Sequence, residues 1–253
     1  MDSATSPSPD GAPNPAPESG VKIAFQPIAD TAAGRVWAYE AQLRGPNGEN
    51  FDTLIAELAP EARADADRRA AVAAVRLAMR AGLGNGGARL CIPSHAPAIG
   101  NPLEHIQPAI NAARGCGLIP ERLIFSLHGY HQLSGPQLAE IVHVYGKQGC
   151  LTLFDGLGPD QEWLGTCGRY APYAVKLEPE LVGGIVSSWS RRITLESLTP
   201  KLRSLGLKVI ATGVDTDAVF QRLPGFGIHM IQGERVASPQ IGALPEATLR
   251  RAA

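Results

Sequence analysis

The chain has 253 residues, 44% hydrophobic and 19% charged, the balance of a globular protein able to bury a sizeable core. Its 23 basic and 24 acidic residues leave a net charge of -1, which excludes a basic polyanion binder. Cys91, Cys116, Cys150 and Cys167 form no CxxC pair, and no apolar run reaches the ~18–20 residues of a membrane span, so a cytoplasmic protein with reduced thiols is expected.

Residues 1–20 (MDSATSPSPDGAPNPAPESG) hold no large aliphatic side chain beyond Met1, and are expected to form a disordered tail ahead of one domain over 21–253. Short apolar or β-branched runs follow at 22–29, 35–43, 89–93, 123–128, 150–154, 173–177, 208–214 and 229–232. The clearest helical pattern spans 52–82, where Leu54, Leu58, Ala62, Ala66 and Ala70 lie on one face and Gly82 stops it. Further helices are expected at 102–114, 136–148, 160–168, 194–205 and 215–223. Only Asp30 to Gly34 separates the first two strands, too short for a crossover, so those two run antiparallel. Eight strands alternating with helices predict an α/β fold, a (β/α)8 TIM-like barrel with an antiparallel first strand. No Gly-rich phosphate loop supports the rival open sheet.

Barrel function sits at the C-terminal strand ends. Those ends carry FQPI at 25–28, YEAQLR at 39–44, VKLE at 175–178, LGLKVIATGVD at 205–215 and IQG at 231–233. In this order they resemble the EAL-domain phosphodiesterases of cyclic di-GMP, which read FQPI, YEALLR, LKID, LGLKVVAEGVE and AQG. The resemblance runs from Ile23 to Pro239. It implies hydrolysis of a phosphodiester by paired Mg²⁺ or Mn²⁺ ions, which take mostly carboxylate oxygens. Family ligands are the Glu of EAL, an Asn on strand three, a Glu on strand four, two Asps on strand five and the Glu of AEGVE; a Lys on strand six orients the water.

Here Glu40, Asp155 and Lys176 match, while Pro93, Ser126, Phe154 and Thr212 stand in four ligand positions and Asp215 replaces the final Glu. Shifting the strand-five alignment by one residue exchanges which Asp survives. The expectation is a degenerate EAL-like domain that is no enzyme and needs no cofactor, Mg or Mn entering only if hydrolysis survives. His95, His128 and His131 with Asp155 could hold a single transition metal, or be solvated loop histidines. No partner can be assigned to Ser126 or Cys91 as nucleophiles.

The resemblance implies a ligand groove of Gln26, Glu40, Leu43, Arg44, Asp155, Lys176, Glu178, Asp215 and Gln232, with Arg44 on a phosphate. Two readings stay open: a cyclic di-GMP receptor or signalling adaptor, and a ligand-independent module that binds a transcriptional or motility regulator. Exposure of Trp163 or Trp189 would favour a protein partner; a homodimer near 179–190 is a further expectation, with neither nucleic acid nor membrane as partner.

Overall fold

The computed structural model describes residues 22–45, 48–50, 53–54, 58–159 and 162–249. The tail expected over 1–20 lies outside the described residues, as do 52 and 55–57 of the long helical pattern and 160–161 of the fourth expected helix.

Asp30 starts the fold by folding its carboxylate back onto the chain, where Oδ1 accepts the Ala32 and Ala33 N–H groups at 3.2 and 3.0 Å. This turn makes a hairpin of β1 (Lys22–Asp30) and β2 (Arg35–Arg44), antiparallel as the short connection requires, with Gln26 opposite Glu40. Parallel strands follow: β3 (Arg89–His95), β4 (Leu123–His128), β5 (Leu151–Leu157), β6 (Ala174–Leu177), β7 (Lys208–Ala211) and β8 (Met230–Ile231). β8 pairs back onto β1 and closes the barrel. A short β9 (Gln240–Ile241), which the sequence pattern does not signal, pairs with the same edge of β1.

The helices are α1 (Pro60–Arg80), α2 (Pro102–Gly115), α3 (Gly135–Lys147), α4 (Glu162–Tyr170), α5 (Pro179–Gly183), α6 (Trp189–Ser204) and α7 (Asp217–Phe220). Thr53 and Leu54 are helical, but the continuous helix expected over 52–82 is interrupted at Leu58 and Ala59, and α1 begins at Pro60. Pro60 has no N–H and restricts the residue before it, so Ala59 is extended (φ -58, ψ 144) and the helix starts at the proline. α6 begins earlier than expected because Ser188 caps it, its side chain accepting from the Arg191 N–H. Among the described residues no helix is long and apolar enough to cross a membrane.

Strand alternation sorts the side chains into two apolar layers. Ile28, Ala38, Cys91, Ile124, Leu153, Ala174, Ile210 and Met230 fill the barrel interior, one from each strand. Phe25, Leu90, Phe125, Phe154 and Val175 point outward, against Val75, Ile106, Ile110 and Tyr145 of the helices. Two residues further along each parallel strand, the inward position reaches the C-terminal mouth. There the sequence places Glu40, Pro93, Ser126, Asp155, Lys176, Thr212 and Gln232, joined by Gln26 of the antiparallel β1.

Candidate functional site at the barrel mouth

Lys176 stands at the centre of this ring. Its ammonium donates to Glu40 Oε1 and lies 3.3 Å from Asp155 Oδ2. Only 3% of Lys176 and 6% of Glu40 is exposed, so both charges are largely out of water and each depends on the other. Burial works to lower the Lys176 pKa, but the carboxylates of Asp155 and Glu40 outweigh it and hold the amine protonated above its ordinary range. For Asp155 burial works upward, and the charges of Lys176 and His128 outweigh it, leaving the carboxyl below its usual value.

Three polar groups converge on one oxygen of Asp155. Besides Lys176, Ser126 Oγ–H donates to Oδ2 at 2.9 Å, and His128 Nε2 stands 3.3 Å away. Ser126 therefore has a partner that sequence spacing could not assign, and its role is to hold a carboxylate. Cys91 Sγ–H approaches Glu40 Oε1 at 3.9 Å. Burial is the main cause pushing that thiol far up, which disfavours a thiolate there.

A net of amides surrounds the ion cluster. Gln232 Nε2 donates to Glu40 Oε2 at 2.7 Å and to Gln26 Oε1 at 3.2 Å, and Gln42 Nε2 donates to Gln26 Oε1 at 2.8 Å. Arg44, at the end of β2, donates to Gln42 Oε1 and, at 3.0 Å, to the Leu43 carbonyl. Arg44 thus pairs with an amide and not with Glu40. Gln42, which the sequence reading passed over, links Arg44 to the buried net; its position two residues from both Glu40 and Arg44 on one strand was the available signal.

The remaining expected site residues divide. Leu43 faces away from the mouth, packed with Leu54, Leu58, Ala66 and Ala70. Glu178 follows β6 at the mouth, its carboxylate above Gly158, where a Cβ would stand 2.7 Å from Oε2. Asp215 is exposed and accepts the Glu234 N–H at 2.9 Å, tying the loop after β7 to the loop after β8. Thr212 Oγ1–H donates to the Leu177 carbonyl at 2.6 Å. Phe154, set against one of the paired aspartates, is fully buried outside the barrel and stacks on Tyr130 with ring centres 4.5 Å apart. The shifted register is thus the geometric one: Asp155 occupies the inward position and Gly156 follows it. Pro93 fits its strand because β2 pairs with β3 only as far as Cys91, leaving that edge without a ladder donor to lose.

The histidine metal site does not form. His131 is exposed and packs edge-on against Tyr130, and among the described residues no group of three His, Cys, Asp or Glu side chains could hold a metal ion.

Comparisons with known proteins agree with this architecture. The EAL domain family matches residues 17–239. The blue light- and temperature-regulated antirepressor BluF of Escherichia coli (strain K12) is 23% identical over 224 residues, 88% of this chain and 55% of that protein, so the chain spans about half the length of this relative. A standalone EAL protein from Vibrio cholerae O395, solved bound to c-di-GMP, superposes with a TM-score of 0.83 at 24% identity, covering 92% of this chain and 98% of that one. The EAL domain of Xanthomonas citri FimX, in complex with c-diGMP, superposes with a TM-score of 0.75 at 18% identity, covering 89% of each. With the family matched over most of its length and the closed barrel of these structures, the chain belongs to the EAL domain family.

Proposed function

We propose that this EAL domain binds cyclic di-GMP at the barrel mouth without hydrolysing it, and acts as a receptor in signalling. The observation that carries the reading is the Lys176 ammonium placed between Glu40 and Asp155, engaging both carboxylates. Two divalent ions require several anionic oxygens, each directed at the metals. The donor set at this mouth does not fit that requirement. Pro93, Ser126 and Thr212 bring no charge, Gly156 brings no side chain, and Glu40 gives one oxygen to Lys176 and the other to Gln232.

What the mouth retains is suited to an anionic, hydrogen-bonding ligand. Arg44 uses two of its guanidinium nitrogens on Gln42 and Leu43, and a guanidinium carries five N–H donors, so donors remain for a phosphate. Incubation with cyclic di-GMP and Mg²⁺ or Mn²⁺, followed by chromatography of the nucleotide, tests the reading. Intact cyclic nucleotide is expected, and linear product would overturn it.

A second reading, an interaction module that regulates a transcriptional or motility partner, is favoured by one surface feature. Trp189 is 69% exposed at the start of α6, flanked by Val186 at 37% and Ile193 at 41%. Trp163, the other candidate, is buried, its indole N–H donating to the Gly158 carbonyl at 3.2 Å. The E. coli relative is named an antirepressor, a function exerted on a protein.

A further inference from the structure

The barrel floor, opposite the mouth, carries cations that pair with no carboxylate among the described residues. Arg89 opens β3 two residues before the inward Cys91, and Lys208 opens β7 two residues before the inward Ile210. Alternation therefore points both side chains at the barrel axis. The rings of Trp37 and Tyr173 stack there with centres 6.1 Å apart and planes 10° from parallel. Arg89 Cζ lies 5.6 Å from the Trp37 ring centre and 5.7 Å from that of Tyr173, and Lys208 Nζ lies 5.7 Å from Tyr173.

Among the described residues no carboxylate pairs with Arg89 or Lys208, and Arg89 Nε is buried with no acceptor. A third cation, Arg122, precedes β4 and donates to the Ala88 and Leu83 carbonyls. Burial, and next the charge of Arg89, lower its pKa, as like charges held close together do. The acids at this end are turned elsewhere: Asp30 caps its hairpin turn, and the Glu121 carboxylate lies over Gly149. Aromatic faces offset part of the cost of desolvating these cations but supply neither an acceptor nor a neutralising charge.

We propose that the barrel floor is a second binding site, for a small phosphate-class oxyanion held by Arg89 and Lys208. The guanidinium fork suits two oxygens of a tetrahedral anion, and the second cation suits a dianion over a monoanion. Tyr173 is half-exposed beside both cations, while Trp37 is buried behind it, so the anion enters along the Tyr173 edge.

The test is thermal unfolding of the whole chain titrated with inorganic phosphate at constant ionic strength, with chloride, acetate and glycerol phosphate in parallel. The melting temperature is expected to rise saturably with phosphate and not with chloride or acetate. Apparent phosphate affinity is expected to fall tenfold or more in Arg89→Gln and in Lys208→Gln, and to persist in Arg44→Ala. Lys208→Gln keeps the test decisive should Arg89→Gln fail to fold, because its stem is half-exposed. A response to glycerol phosphate equal to that of phosphate identifies a phosphoester as an accepted source, and its absence restricts the site to the free ion. An equal response to chloride or acetate, or one lost in Arg44→Ala and kept in both floor variants, overturns the proposal.

Discussion

The Lys176 ammonium and the Glu40 carboxylate, 136 residues apart in sequence, are hydrogen-bonded across the interior of the barrel, with 3% and 6% of their surfaces exposed. The pair links β6 to the hairpin strand β2, so the charge chemistry of the mouth and the closure of the barrel depend on the same contact.

Removing the cation alone should therefore be costly. Lys176→Met leaves Glu40 and Asp155 buried without their shared partner, and a loss of about 3–5 kcal/mol is expected in urea unfolding at neutral pH. The combined variant Glu40→Gln/Asp155→Asn/Lys176→Met should recover most of it, because neither buried carboxylate is left without the ammonium. Equal destabilisation of both variants would mean that packing of the lysine stem, and not its charge, matters.

The same cluster sets a pH window. Asp155 has a lowered pKa in the fold, so its contribution is present above the unfolded carboxyl value, about 3.9, and is lost as pH falls through the folded value. Lys176 has a raised pKa, so its contribution is present below the unfolded amine value, about 10.4, and is lost as pH rises through the folded value. The stability difference between the native chain and the combined variant should decline as pH falls below about 3.9 and as pH rises above about 10.4. No decline at either extreme would contradict the assignment.

Gly233 follows Gln232 at the mouth, and a Cβ there would stand 2.3 Å from the Val214 carbonyl oxygen and 2.4 Å from its nitrogen. Gly233→Ala must push apart the backbone of the two loops that carry Asp215 and Gln232. A loss of about 1–3 kcal/mol is expected, with weaker ligand binding in the same variant. Unchanged unfolding would show that the loops have slack.

Arg44→Ala tests the phosphate role directly. Loss of a charged hydrogen bond should weaken cyclic di-GMP binding by about 1.5–3 kcal/mol, read by titration of the two proteins side by side. Unchanged affinity would remove Arg44 from the ligand groove.

Much of the fold was legible in the sequence because the constraints behind it are local. The five residues from Asp30 to Gly34 leave no room for a crossover, and the alternating runs place each strand within a few residues. The break before α1 was missed because apolar periodicity continues through Pro60, whose missing N–H the pattern does not register. Counting alternation from the inward Leu153 would have turned Phe154 outward and Asp155 in. Glu40, Asp155 and Lys176 were legible as separate motif positions, but their joining is a product of closure. The floor was not legible, since Trp37, Arg89, Tyr173 and Lys208 come from the starts of four different strands and meet only in the finished barrel.

The measurement that bears most directly on the receptor reading is calorimetric titration of the whole chain with cyclic di-GMP, once with excess chelator and once with Mn²⁺. The account predicts binding in both, with the same affinity, because the Lys176 ammonium already engages Glu40 and Asp155. Binding that requires Mn²⁺, or no binding in either, would contradict it.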